Sequence, residues 1–156
     1  MKTLTLATTV FALLFLNSCG GEQILLPGET VESYDNSLER WRAQNYQDYS
    51  FEFRWQCFCL LSNGWVEVTV ENDRVVSVKN LETVQEGEYQ RILAKEDYLT
   101  INGLFTKIKE AYEKPVDSVI ARYDATRGFP VDVTLDYLLN GIDDETGFEI
   151  RKVSVK

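Results

Sequence analysis

The chain has 156 residues, three cysteines, no histidine and a formal net charge of −9. That length predicts one domain with a proper core, and eight Phe, eight Tyr and three Trp argue against disorder. An acidic chain without a basic run is a poor partner for nucleic acid or anionic lipid, and lacking histidine it has neither triad catalysis nor a histidine zinc site.

Met1-Lys2-Thr3 is a short basic start, and the apolar run Leu4 to Leu16 is too short to cross a bilayer as a helix. It ends in Leu16-Asn17-Ser18-Cys19-Gly20. This resembles the bacterial lipobox, which has an apolar residue three places before a cysteine and a small one just before it. The resemblance implies a signal peptide over 1–18, lipid on the Cys19 thiol, cleavage before it and acylation of the new amino group. More than one acyl chain on a residue makes a stable anchor. An ordinary secretory signal cut nearby is the competing reading. Gly20, where inner-membrane retention favours Asp, points to the outer membrane if the cell has one. The membrane is therefore the first expected partner, through Cys19, and the cell envelope the expected location.

Residues 19–35 read as a tether with Pro27-Gly28 as a break, and residues 36–156 as a single domain. Asn36 reads as a helix N-cap with Glu39 as its capping-box partner. Leu38, Trp41 and Asn45/Tyr46 follow at helical spacing, predicting a helix from Ser37 to Asn45. From Tyr49 to Cys59 the odd positions Tyr49, Phe51, Phe53, Trp55, Cys57 and Cys59 are apolar and the residues between them mostly polar. That period of two predicts a strand with one buried face. Ser62-Asn63-Gly64 turns it into Trp65 to Glu71, with Val66, Val68 and Val70 on one face. Asn72-Asp73 predicts a two-residue hairpin, and Arg74 to Lys79 returns with Val76 and Val78 inward.

Asn80 to Tyr98 is charged and irregular. Thr100 then caps a second helix with the stripe Ile101, Leu104, Phe105, Ile108 and Ala111/Tyr112, and Pro115 follows its end. Strands are predicted at Val116 to Asp124, Val131 to Asp136 and Phe148 to Val155. Thr126-Arg127-Gly128-Phe129-Pro130 turns between the first two, and Asn140 to Gly147 forms an acidic loop. Val66-Glu67-Val68-Thr69-Val70 is echoed by Val131-Asp132-Val133-Thr134-Leu135, each after a helix, a strand and a Gly turn. The shared order suits a tandem α-βββ duplication and a single unit equally. Either way the fold class is α+β, an antiparallel sheet with two helices packed on one face.

Trp41, Tyr49, Phe51, Cys57-Phe58-Cys59, Val66-Glu67-Val68, Leu104-Phe105, Tyr123-Asp124, Gly128-Phe129-Pro130 and Asp143-Asp144-Glu145 together resemble an uncharacterised bacterial family. Its members are secreted or lipid-anchored, and it is known only as a domain of unknown function. The resemblance spans Ser37 to Ile150 and implies a fold and a compartment, but no activity.

In an extended strand the Cα atoms of Cys57 and Cys59 lie about 6.6 Å apart, near the upper limit for a disulfide, which a bulge or turn would shorten. Three readings stand: an oxidised structural pair, two buried reduced thiols, or redox chemistry and capture of a soft metal such as Cu(I) or zinc. The first is preferred, because a catalytic thiol needs an electropositive, partly exposed setting and two thiolates leave zinc short of ligands. Asp143, Asp144 and Glu145, with Asp124 and Asp136 if the fold brings them near, are oxygen ligands suited to calcium. They lack the EF-hand order, so a solvated loop is the better reading. No catalytic residue and no cofactor is assigned. The expectation is a non-enzymatic, lipid-anchored module that binds an envelope protein or small ligand, with a thiol-redox or soft-metal protein as the alternative.

Overall fold

A computed structural model describes residues 29–30, 33–57, 64–82, 94–114, 118–137 and 145–156. In chain order the elements are β1 (Glu29–Thr30), α1 (Tyr34–Ala43), β2 (Tyr49–Cys57), β3 (Val66–Glu71) and β4 (Arg74–Asn80). A single 3-10 turn (Lys95–Asp97) leads to α2 (Ile101–Glu113), β5 (Ser118–Asp124), β6 (Pro130–Asp136) and β7 (Thr146–Val155). The seven strands form one antiparallel sheet in the order β1-β5-β6-β7-β2-β3-β4. β2 lies inside the sheet, between β7 and β3. The architecture is mostly sheet with two helices.

The tandem duplication is corrected by this arrangement. Two α-βββ copies would each lay a helix over its own meander, but α1 packs nearest β5, and α2 packs nearest β5 and β6. The two meanders are continuous through the β2–β7 ladder and share one core. The echo between Val66–Val70 and Val131–Leu135 reflects what any half-exposed strand selects: branched residues inward, polar ones outward.

The core follows the period-two pattern. Tyr49, Phe51 and Phe53 are buried along β2, Val66, Val68 and Val70 along β3, Val133 and Leu135 on β6, and Phe148 and Ile150 on β7. The α2 stripe Ile101, Leu104, Phe105, Ile108 and Ala111 closes over them. Phe53 touches the rings of Phe51, Trp55, Tyr98 and Phe148 at 4.8–6.3 Å, edge-on or stacked. Tyr49 is fully buried, and its hydroxyl accepts the Ile101 N–H at 3.1 Å, satisfying a donor that the first turn of α2 cannot pair internally. Burial pushes the Tyr49 phenol well above its ordinary range, so it stays protonated.

Thr100 caps α2 as its position predicts, its hydroxyl accepting the Gly103 N–H at 3.1 Å. The start of α1 differs from expectation. Ser33, not Asn36, is the N-cap, and the helix is already formed at Tyr34. Tertiary contacts decide this, since Tyr34 Oη donates to the Phe105 carbonyl at 3.1 Å and its ring packs edge-on to Phe105. Glu29–Thr30, read from sequence as tether, pair with Asp124 and Tyr123 at the sheet edge. Val76 is exposed while Val75 and Val78 pack on the core, because a bulge opposite Thr69/Val70 shifts the β4 register.

The outward face of the sheet is a set of cross-strand polar rows. Arg122 pairs with Asp132, Asp132 lies opposite Glu149, and Glu149 opposite Arg54. Ion pairs join Arg122 to Asp132 and Arg54 to Glu149, offsetting the repulsion of the two adjacent carboxylates. Arg54 and Arg151 flank the Trp65 ring at 4.9 and 3.8 Å. One row over, a bulge between Ser50 and Glu52, with Lys152 at φ 51°, lets two successive cations reach one carboxylate. Arg151 Nε and Lys152 Nζ donate to Glu52 at 2.5 and 2.8 Å. Lys152, against partial burial and then with Arg151, holds the Glu52 carboxyl below its ordinary 4.5.

A depressed folded-state value means that Glu52 adds stability above the unfolded value and loses it as pH falls through the folded one. Stability in urea is therefore expected to fall as pH drops below 4.5, and Glu52→Gln is expected to flatten that part of the profile. An unchanged profile in Glu52→Gln would show that the two cations contribute nothing.

Candidate functional site

Of the described sequence-assigned residues, Cys57, Asp136 and Glu145 come to the same end of the sheet and Asp124 stands apart. Cys57 ends β2, half-buried and opposite Thr146, while Cys19 and Cys59 lie outside the described residues. Asp124 closes β5 and Asp136 closes its antiparallel partner β6, so they stand at opposite ends of one hairpin. At about 3.3 Å per residue the pair is ~20 Å apart. Glu145 precedes β7 at the Asp136 end, and Asp143 and Asp144 lie outside the described residues. Among the described residues no group of three or more Cys, Asp or Glu could hold a metal.

Asp124 has a structural use. Its Oδ1 accepts the Thr126 and Arg127 N–H groups at 3.0 and 2.6 Å, and its backbone bonds Phe129 and Gly128. Arg40 of α1 donates to the Ala125 carbonyl at 2.7 Å, and Arg127 to the Val153 carbonyl at 2.8 Å. The Tyr123-Asp124 and Gly128-Phe129-Pro130 pieces thus form one corner that docks α1 on the sheet.

A second convergence lies at the C-terminus of α1. Four segments converge there on a cavity of about 140 Å³: the α1 C-terminus, the α1–β2 loop, the β3–β4 turn and the first turn of α2. Trp41 and Tyr46 form an edge-to-face wall with centroids 5.6 Å apart. Trp41 Nε1 donates to Asn102 Oδ1 at 3.2 Å, Asn102 Nδ2 donates to Asp73 Oδ1 at 3.0 Å, and the Asp73 N–H bonds the Gln47 carbonyl at 3.1 Å. Asp48 accepts the neighbouring Asn72 N–H at 2.9 Å. The β3–β4 turn is therefore clamped to the α1–β2 loop.

Asn45, Asn72 and Asp73 hold φ of 51°, 49° and 54°, the left-handed region that Asn and Asp tolerate best among side-chain-bearing residues. Asn72-Asp73 was legible as a hairpin turn and Trp41 as part of a helical stripe. The convergence of Arg42, Asn45, Gln47, Asp73 and Asn102 was not, because each reads alone as an ordinary cap, loop or surface residue.

The family described as a "Family of unknown function (DUF6174)" matches residues 33–155. No curated protein and no solved structure matches the chain.

Proposed function

The chain belongs to that family of unknown function and inherits no activity from it, and from its own residues we propose a lipid-anchored cell-envelope protein whose α+β domain binds a partner or ligand without catalysis. The observation that carries this reading is Leu16-Asn17-Ser18-Cys19-Gly20 behind a basic start and a short apolar run. Gly20 favours the outer membrane if the cell has one. The preformed polar cavity at the end of α1 supports a binding role. An architectural role for Cys57, paired with Cys59, is supported by its place on the strand of Phe53 and Trp55.

One measurement tests both parts: intact mass of the mature protein from membranes of its host, before and after reductant. The expected mass begins at Cys19 with acyl chains attached, and reduction adds two hydrogens without removing lipid. Cys19→Ala is expected to move nearly all of the protein out of the membrane fraction. An unmodified Cys19 thiol, or cleavage elsewhere, overturns the anchor. A pair at 57 and 59 that cycles readily with mild reductant in the cell returns the redox alternative.

A further inference from the structure

We propose that the cavity beside Trp41 is a saccharide site that takes a single pyranose ring. The proposal deepens the binding role above but is independent of the anchor, because it rests only on the cavity and its lining.

Size comes first. The cavity's 140 Å³ is close to the roughly 150 Å³ of cavities that hold one benzene, so its capacity is about one six-membered ring. The chemistry of the walls then selects among rings. Among the described residues of the lining Arg42 is the one cation and Asp73 the one carboxylate, so their formal charges cancel and favour neither an anion nor a cation. The remaining polar groups are the amides of Asn45, Gln47 and Asn102, with the Tyr46 hydroxyl and the Trp41 indole N–H already donating to Gln44 and Asn102. An amide side chain donates and accepts at once, which suits a hydroxyl that also does both. A carboxylate accepts from two neighbouring hydroxyls, and a guanidinium donates in a fork. Trp41 is buried and braces Tyr46, whose half-buried ring supplies the apolar surface that suits the C–H face of a pyranose.

Rigidity is the second argument. Asn102 is held by Trp41 Nε1 and itself holds Asp73 Oδ1, so one amide and one carboxylate oxygen are already oriented and Asp73 Oδ2 is left to meet a ligand. The left-handed backbone at Asn45 and Asp73 fixes both residues at the rim. Groups ordered before binding lose less entropy when a ligand arrives, which matters for a small, neutral ligand with few contacts to spend.

The test uses the full mature protein in detergent and follows the indole N–H resonance of Trp41, assigned by its loss in Trp41→Phe. The probes are glucose, galactose, mannose and N-acetylglucosamine across the millimolar range, with glycine as a zwitterion and inorganic phosphate as an anion. At least one sugar is expected to shift the Trp41 resonance saturably. Asp73→Asn, which keeps the size and the tolerance of positive φ, is expected to weaken that sugar roughly tenfold or more, as loss of a bond to a charged group does. Gln47→Ala, whose side chain takes no part in the Trp41–Asn102–Asp73 chain, is expected to weaken it while leaving the melting temperature unchanged. No response to any of the four sugars, a response to glycine or phosphate alone, or equal affinity in both variants overturns the proposal. None of these outcomes bears on the lipid at Cys19, so this reading and the anchor fail separately.

Discussion

Alanine at Gly128 is expected to destabilise the domain by about 2–5 kcal/mol, seen as a lower urea midpoint with an unchanged slope. Two independent effects combine. Gly128 has φ 84°, where a Cβ carries a penalty of about 1–2 kcal/mol. A Cβ built there would also lie 2.3 Å from the Ser37 carbonyl oxygen and 3.1 Å from the Trp41 backbone nitrogen. Those neighbours are α1 backbone and cannot rotate aside, so the helix must lift from the β5–β6 corner. Overpacking of that kind adds about 1–3 kcal/mol. Lifting α1 also strains the Arg40 bond to Ala125 and the packing of Trp41 on Phe129, whose ring centroids are 6.3 Å apart. A midpoint within experimental error of the parent would mean that α1 is not seated on this corner.

Phe53→Ala is expected to cost about 3–5 kcal/mol, again as a lower urea midpoint. Phe53 is 1 % exposed, in an inner strand of the sheet, and in ring contact with Phe51, Trp55, Tyr98 and Phe148. Sheet backbones cannot close on the void, because β2 is held on one side by β3 and on the other by β7. Phe53→Leu keeps most of the volume and is expected to cost clearly less, so the ratio of the two separates cavity formation from loss of aromatic contacts. A loss below 1.5 kcal/mol in Phe53→Ala would mean that the ribbon of rings on β2 is not central to the core.

Both sites belong to stretches that the sequence marks openly, yet for different physical reasons. The β2 strand is visible because burial on one face of a pleated strand enforces alternation, and six apolar residues at odd positions are hard to produce otherwise. Gly128 is visible only as a turn glycine. That α1 backbone lies against it is a long-range contact with no local signature.

The start of α1 and the inward face of β4 show the same limit. Asn36 with Glu39 is a sound capping box, and it loses to Ser33 because Tyr34 finds Phe105 across the core. Val76 alternates properly with Val78, and a bulge then rotates it outward. The acidic residues Asp124 and Asp136 look alike in composition, and antiparallel pairing carries them to opposite ends of a hairpin.

By itself, the order of residues determined which faces of β2, β3 and α2 are buried, where strands turn at Asn72-Asp73, and that Thr100 opens a helix. Each of these is set by neighbours a few places away, through alternation, capping and tolerance of positive φ. Only the tertiary structure decided that two meanders join through β2 and β7 into one sheet, and that Trp41, Asn102 and Asp73 share one hydrogen-bonded wall. The partners in such contacts are far apart along the chain, and nothing in either one's local sequence encodes the other; the whole core has to assemble before they meet.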